Sequence, residues 1–222
     1  MGNITALNRY QGRTIIDQLT YTYTGNQLTT LSDASGNNAG IKGAVGLAYV
    51  YDVNGNVTTD PSRINGTINI GYNLLNLPQN ITGGKTITYT YVAAGNKLRR
   101  VSTGTGTTDY INGIQYDAGA LSFIQTEEGA AVPNGANYDY QYYLGDNLGN
   151  TRSTLSTKTG VAVSTQKDDY FPFGLEINRS VLSPKNEYLY NKKELQDELV
   201  QYDYGARCSF TWQVDKPSLL AE

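Results

Sequence analysis

The sequence has no histidine and only one cysteine among its 222 residues, and these two absences remove several classes of active site. Without an imidazole, every histidine-based triad, histidine–metal site and imidazole acid–base mechanism is excluded. Cys208 alone forms neither an internal disulfide nor a thiolate metal cluster. As a nucleophile it would need an activator other than histidine. The sequence therefore predicts no metal site and no cofactor.

Long apolar runs and strongly basic segments are also missing. No stretch approaches 18 consecutive apolar residues, so the sequence predicts no membrane-spanning helix. The N-terminus, MGNITALNRYQGRT, lacks the basic and apolar regions of a signal peptide. The net charge is −3 and no dense run of lysine or arginine occurs. Binding to nucleic acid through neutralisation of phosphates is therefore disfavoured.

Tyrosine, in contrast, is abundant, with 19 copies against 4 phenylalanines and 1 tryptophan. Together with threonine, asparagine and glycine, it makes a composition typical of strands and tight turns. A pattern of Tyr-x-Tyr followed by Gly-Asn recurs, and its anchoring tyrosines are 28, 21 and 19 residues apart. These tyrosines are Tyr23, Tyr51, Tyr72 and Tyr91. Repeats at such a period indicate an array in which each unit packs against its neighbours.

Each repeat predicts a β-hairpin. The Tyr-x-Tyr alternation places both rings on one face of a strand. The Gly-Asn pair supplies the positive φ angles of a tight turn, and an apolar residue such as Leu28, Val57 or Leu98 begins the return strand. The oxygen-rich loop that begins at Asp52 is explained by the same turn chemistry, so we do not predict calcium binding there.

The last third of the chain contains four ordered blocks that do not repeat. They read YDYQYYLGDNLGNTR from residue 138, then DDYFPFGLEI, NEYLYNKKELQDE and finally YDYGAR. Within the third block, Leu195 and Leu199 are four residues apart with charged residues around them, which predicts one short helix near Asn191–Leu199.

Two acidic residues in these blocks each have an arginine a few positions later. Asp146 precedes Arg152, and Asp203 precedes Arg207. We predict that each couple forms a charge-assisted pair that holds a turn.

In order and spacing, the four blocks resemble the RHS repeat-associated core domain of bacterial RHS/YD-repeat proteins, a family of polymorphic toxins. The resemblance implies an all-β fold of stacked β-hairpins that form a curved sheet or partial shell. It divides the chain into YD/RHS-type hairpin repeats (1–137), the core segment (138–207) and a divergent C-terminal tail (208–222). The motif residues that it marks as structural are Asp146, Gly149, Asn150, Arg152, Pro172, Phe173, Gly174, Tyr204, Gly205 and Arg207.

The resemblance also implies a function. The chain would be a structural shell or scaffold segment that encapsulates or presents a C-terminal toxin or effector in bacterial competition. Its partners would be that effector and further repeats of the same polypeptide. The longer protein would be secreted or lie at the cell surface. Whether the chain is complete or a piece of a longer protein stays open, as does the identity of the effector.

Two alternative functions remain. The first is an autoproteolytic core of the aspartic type that releases a C-terminal toxin, for which the candidates are Asp203 and Asp215. The family's D-P-x-G…D-P motif is not intact after Arg207, but a working pair would bring one candidate within about 4 Å of another carboxylate. The second is a carbohydrate-binding or adhesion module, which predicts an exposed row of tyrosine rings.

Overall fold

The chain folds almost entirely into antiparallel β-strands, which confirms the all-β fold that the hairpin pattern predicts. A computed structural model describes residues 2–41, 46–61, 66–181, 185–205 and 208–210. The strands are β1 Ala6–Gln11, β2 Thr14–Thr24, β3 Gln27–Asp33, β4 Val50–Tyr51, β5 Val57–Asp60, β6 Ile68–Tyr72, β7 Pro78–Thr82, β8 Ile87–Tyr91, β9 Lys97–Ser102, β10 Gly106–Ile111, β11 Ile114–Asp117, β12 Ala120–Gln125, β13 Gly129–Asn134, β14 Asn137–Gly145, β15 Thr151–Ser156, β16 Val163–Tyr170, β17 Glu176–Val181, β18 Glu194–Gln196, β19 Gln201–Asp203 and β20 Cys208–Phe210.

The strands form three sheets in which the order along the chain is also the order in space. The first sheet is β1–β2–β3, the central sheet contains the 14 strands from β4 to β17, and the third is β18–β19–β20. A bridge between Thr30 and Ala48 links the first sheet to the region just before β4. Because each strand pairs with its neighbours along the chain, the central sheet is a continuous series of hairpins whose outermost strands, among the described residues, are β4 and β17.

The anchoring tyrosines connect successive hairpins through their hydroxyl groups. Each hydroxyl donates a hydrogen bond to a backbone carbonyl on an earlier part of the chain, so the ring spans from one hairpin to the one before. The bonds run from Tyr23 to Ile4 (2.9 Å), Tyr51 to Leu28 (2.8 Å), Tyr72 to Val57 (2.9 Å), Tyr91 to Pro78 (2.7 Å) and Tyr170 to Thr151 (2.6 Å).

In the repeat turns that begin at Asp52 and Asn73, the side chain at the first position holds the turn. In the turn that follows β4, Asp52 Oδ1 accepts hydrogen bonds from the backbone N–H groups of Asn54 and Asn56, both at 2.9 Å. Asp52 Oδ2 accepts one from the Asn56 side-chain amide at 2.9 Å. Gly55 has a φ of +83°, a conformation that glycine adopts without steric cost. The repeated Gly-Asn pair is therefore a requirement of the turn.

One of three buried hydrophobic clusters lies on a face of the central sheet. Ile68, Ile81, Ile87 and Tyr89 are buried on β6, β7 and β8, and Leu199 from the end of the chain packs among them. Residues 185–203, which we call the crossing segment, thus cover part of this face.

The predicted helix at Asn191–Leu199 is wrong. The structure has a single 3-10 turn at Tyr190–Lys192, then strand β18 and a turn before β19. Asn191, Lys192 and Val200 have positive φ angles, which an α-helix does not allow. No helix in the described part of the chain is long and apolar enough to cross a membrane.

Residues 127–137 contain strand β13, although their polar, proline- and glycine-bearing sequence is more typical of a connection. Gly129, Ala130 and Ala131 are buried there, and a Cβ at Gly129 would lie 2.1 Å from the carbonyl oxygen of Gln141. Small residues allow β13 to lie close against β14, although they lack the side chains that are typical of strands.

Candidate functional site

The crossing segment is the place where most of the four ordered sequence blocks meet. At its start, the Asn186 N–H donates to Gln166 Oε1 on β16 at 2.8 Å, and Gln166 Nε2 donates to the Asn186 carbonyl at 3.1 Å. Farther along, the Tyr188 ring lies edge-on to the Phe123 ring of β12, with centroids 5.7 Å apart. The segment then reaches β8 to β10, so it runs across much of the central sheet.

Lys97 holds the middle of the crossing segment to β9. Its Nζ lies 2.6 Å from Glu194 Oε2 and 2.6 Å from Asp203 Oδ2. The Tyr110 hydroxyl donates to Glu194 Oε1 at 2.7 Å, and its ring lies under the ammonium group, 4.1 Å from Nζ to centroid. Burial alone would lower the pKa of Lys97, but the two carboxylates more than offset it and the pKa is raised. The amine is therefore held as a cation.

A second buried ion pair lies beside the first. Arg100 Nη1 is 3.2 Å from Glu198 Oε2, and both side chains are almost fully buried. Glu198 Oε1 also accepts hydrogen bonds from the hydroxyls of Ser102 and Thr105, the latter at 3.0 Å. Tyr89 donates to the Gln196 side-chain oxygen in the same region. All of these acceptors lie in the crossing segment, and all of the donors lie on the sheet or in the turn after β9. The contacts therefore fix the position of the crossing segment along the sheet.

Asp203, the described candidate for an autoproteolytic pair, has a lysine as its charged partner. Its carboxylate binds Lys97, accepts from Gln196 Nε2 at 3.3 Å, and accepts the Gly205 N–H at 2.7 Å. Glu194 binds the same amine, so a cation lies between the two carboxylates. The predicted pair of Asp203 with Arg207, and the candidate Asp215, lie outside the described residues.

A different pair of carboxyl groups does come together, at Asp168 on β16 and Glu176 on β17. Asp168 Oδ1 and Glu176 Oε1 are both buried, and neither has a hydrogen-bond donor among the described residues. Burial, followed by the hydrogen bond with Glu176, raises the pKa of Asp168 to about 7. One proton held between the two groups satisfies both oxygens. No sequence pattern described above predicts this pair. The available signal is the presence of an acidic residue on each side of the Pro-Phe-Gly turn.

Lys185 is the cation at this second cluster. Its Nζ lies 3.4 Å from Glu176 Oε2 and 3.4 Å from Asp197 Oδ1. Asp168 Oδ2 accepts a hydrogen bond from Gln166 Nε2 at 2.9 Å. Across the described ranges, no group of three histidine, cysteine, aspartate or glutamate side chains is placed to hold a metal ion.

The predicted pairing of Asp146 with Arg152 is wrong, because each side chain binds a different partner. Asp146 caps its own turn, where Oδ1 accepts the N–H groups of Leu148 (2.9 Å) and Asn150 (3.0 Å). Arg152 instead forms an ion pair with Asp169 on the next strand. Backbone N–H groups therefore occupy the Asp146 carboxylate, as they do at Asp52 in a repeat turn. Arg152 lies on β15, and its partner Asp169 lies on the adjacent strand β16.

The Pro-Phe-Gly and Tyr-Gly motif residues line the aromatic part of the crossing segment. Pro172, Phe173 and Gly174 form a single 3-10 turn after β16. Gly174 has a φ of +83°, and a Cβ there would lie 2.9 Å from the Tyr190 ring and 3.2 Å from the Tyr202 ring. Glycine thus allows both rings to lie against the turn.

The remaining motif residues lie close by. Gly149 has a φ of +81° in the turn capped by Asp146. Asn150 Oδ1 accepts the Asn191 N–H at 3.0 Å, and the Asn191 side-chain amide donates to the Tyr204 hydroxyl at 3.1 Å. Gly205 donates its N–H to Asp203, as described above. The structure therefore brings residues from all four sequence blocks to the crossing segment.

Comparisons with known proteins identify similar folds but no family. No family model and no curated protein matches the sequence. The crystal structure of TcdB2-TccC3 without its hypervariable C-terminal region has a similar fold, with a TM-score of 0.56 and 16% sequence identity over 89% of this chain. That of TcdB2-TccC3 gives a TM-score of 0.54 and 18% identity over 88% of this chain. The chain spans 12% of the length of each of these structures.

Proposed function

We propose that this chain is a structural shell or scaffold segment of an RHS-repeat toxin, which encapsulates or presents a C-terminal effector in bacterial competition. The observation that carries the proposal is the central sheet of 14 antiparallel strands, with a fold similar to part of TcdB2-TccC3. Residues 1–137 would be the repeats, residues 138–207 the core segment and residues 208–222 a divergent tail. The longer protein would be secreted or lie at the cell surface.

The crossing segment supports a scaffolding role. It binds one face of the sheet through buried ion pairs at Lys97 and Arg100 and through aromatic packing at Gly174. Such contacts position a chain firmly without leaving a reactive group exposed. The structural motif residues of the core segment would then hold the end of the repeats in place. The enclosed effector would follow them in the sequence.

The test is protection of an enclosed segment. The full-length product of the gene, with its natural flanking sequences, is treated with a dilute protease, and each region is followed by mass spectrometry. We expect the segment downstream of residue 222 to resist cleavage in the folded protein and to be cleaved rapidly when expressed alone. Equal rates in the two samples would contradict encapsulation. Small-angle X-ray scattering of the same sample should give the large mean radius of a hollow particle.

A second candidate function, carbohydrate binding, is favoured by one observation. Tyr138, Tyr140 and Tyr142 alternate along β14 and are 43%, 50% and 41% exposed. Their rings are spaced about 7 Å apart, since a strand rises about 3.4 Å per residue. An exposed row of aromatic rings is what stacking on sugars requires, whereas the anchoring tyrosines are half-buried.

Carbohydrate binding can be tested with a substitution in the exposed row of tyrosines on β14. Binding of the purified chain to soluble polysaccharides is measured by isothermal titration calorimetry, before and after Tyr140→Ala. We expect loss of binding in this variant if the row is a sugar site, with no change for Leu148→Ala, which removes another exposed apolar side chain. Absence of binding to any polysaccharide would leave the scaffold as the better function.

A further inference from the structure

Lys97, Glu194 and Asp203 have the arrangement needed for a covalent bond between two side chains. The amine touches both carboxylates at 2.6 Å, and the exposed fractions of the three side chains are only 13%, 8% and 13%. Lys97 begins β9, while Asp203 lies in the crossing segment, 106 positions later. A bond here would tie the end of the core segment to the middle of the sheet.

Asp203 is positioned as the acceptor of a nucleophile. Its Oδ2 lies against the Lys97 amine, and its Oδ1 accepts the Gly205 backbone N–H at 2.7 Å. A backbone N–H on the oxygen that gains negative charge is the arrangement that stabilises a tetrahedral intermediate. The two oxygens of this carboxyl group therefore have different surroundings: Oδ2 faces the amine and the Gln196 side-chain amide (3.3 Å), whereas Oδ1 faces the backbone donor.

Glu194 is positioned to carry protons. Its Oε2 contacts the Lys97 amine, and the Tyr110 hydroxyl holds its Oε1 at 2.7 Å. A carboxylate within hydrogen-bonding distance of the attacking amine can accept a proton from it and return that proton to the leaving group. The Tyr110 ring covers the amine on another side, which limits access of water.

We propose that Lys97 and Asp203 condense to form an intramolecular amide bond, with Glu194 as the proton shuttle. One proton first passes from the Lys97 ammonium to Asp203 Oδ2, which leaves a neutral amine beside a carboxylic acid. The Nζ lone pair then attacks Asp203 Cγ and forms the C–N bond, while Oδ1 takes the negative charge. Glu194 moves a second proton from Nζ to the Oδ2 hydroxyl, the C–O bond breaks and one water molecule leaves.

Proximity is the main contribution to this reaction. A nucleophile and an acceptor that are held in contact react as if they were at very high concentration, and exclusion of water from the site disfavours hydrolysis of the product. The ion pair is the resting state, because both carboxylates stabilise the charged amine. We therefore expect the bond to form slowly after folding, not during synthesis.

The test is the intact mass of the purified full chain, measured by mass spectrometry over several days. We expect a mass lower than that of the sequence by one water molecule, and a tryptic fragment in which the peptide containing Lys97 is joined to the peptide containing Asp203. A chain that keeps the full sequence mass throughout contains an ordinary ion pair and overturns the proposal. So does a water loss that maps to another position.

Two variants separate the roles of the residues. Lys97→Arg keeps the positive charge and should keep the full sequence mass. Glu194→Gln keeps the shape of the side chain, and we expect the linked fraction to fall at least tenfold at equal times. An unchanged linked fraction would remove the shuttle role from Glu194. The matched control is Lys185→Arg, because Lys185 also lies between two carboxylates, although at 3.4 Å from each, and this variant should still lose one water.

Discussion

The two ends of the crossing segment bury carboxylates against the same sheet in opposite ways. Beside β9, Glu194 and Glu198 each have a cation in contact, from Lys97 and Arg100. Beside β16 and β17, Asp168 and Glu176 face each other. A buried charge is tolerated when it is paired or neutralised. The first end therefore depends on cations in contact with its carboxylates, and the second depends on a proton on Asp168 in addition to Lys185. The two ends should respond differently to mutation and to pH.

The largest expected effect is the loss of a cation at the end beside β9. Arg100→Met removes the arginine that contacts the buried Glu198 carboxylate, while Ser102 and Thr105 still donate to it. Removing one partner of a buried ion pair costs about 3–5 kcal/mol. We expect the free energy of unfolding, measured by urea denaturation, to fall by about 3 kcal/mol.

The neighbouring residue provides the matched control. Arg99 forms an ion pair with Asp109, but its side chain is 52% exposed. Exposed ion pairs contribute less than about 1 kcal/mol, because water already solvates both charges. Arg99→Met should therefore have little effect. Similar losses for the two variants would mean that the end beside β9 does not depend on the buried pair.

The proton-dependent end should make stability fall as pH rises. In the folded state the pKa of Asp168 is raised to about 7, whereas the unfolded chain releases this proton near the ordinary aspartate pKa of 3.8. The contribution of this pair to stability is therefore largest below about pH 4 and is lost as the pH rises to about 7, at no more than about 1.4 kcal/mol per pH unit. Urea denaturation at a series of pH values measures this slope.

Asp168→Asn isolates this pair from the other groups that titrate. The amide keeps a donor toward Glu176 at every pH, so the fall between pH 4 and pH 7 should become smaller. A remaining slope is expected from Glu187, because burial, with Asp197 and Glu194 nearby, raises its pKa to about 7 as well. An identical slope in the variant and the parent chain would exclude a shared proton at this end.

The sequence allowed the hairpins to be predicted but not the crossing segment, and the reason is physical. A Tyr-x-Tyr pair and a Gly-Asn turn act within a few residues, so their pattern is local. Leu195 and Leu199 are equally consistent with one face of a helix. What decides against the helix is that Glu194 and Glu198 bind Lys97 and Arg100, about 100 positions earlier.

The pair of Asp168 and Glu176 could not be predicted either, because it also depends on contacts that a local sequence pattern does not contain. Asp168 and Glu176 become neighbours because β16 pairs with β17 in a register that places Tyr170 opposite Glu176. The Pro-Phe-Gly turn indicated a hairpin there, but the register contains an irregularity between Lys167 and Asp168. A shift of one residue turns a side chain to the other face of the sheet, so only the structure shows which carboxyl groups meet.

Packing at the proton-dependent end can be tested without a change of charge. Gly174→Ala introduces a Cβ that would lie 2.9 Å from the Tyr190 ring, at a φ of +83°. We expect a loss of about 2 kcal/mol, from the strained backbone and the displaced ring together. Gly160→Ala is the control, because Gly160 has a φ of +78° with nothing within 4 Å, and it should cost about 1 kcal/mol. Equal losses would show that ring contact contributes nothing.

The smallest expected effect on stability comes from a hydrogen bond between two strands of the sheet, in which neither partner is charged. Tyr91→Phe removes the hydroxyl that donates to the Pro78 carbonyl at 2.7 Å, while the ring remains. A hydrogen bond of this kind contributes about 1 kcal/mol, so the loss should be near that value and independent of pH. Tyr140→Phe, at an exposed position, should change stability by less than about 0.5 kcal/mol. If Tyr91→Phe lost as much stability as Arg100→Met, a neutral hydrogen bond between adjacent hairpins would contribute as much as a buried ion pair. The strongest contacts of this face would then lie in the hairpins and not at the ends of the crossing segment.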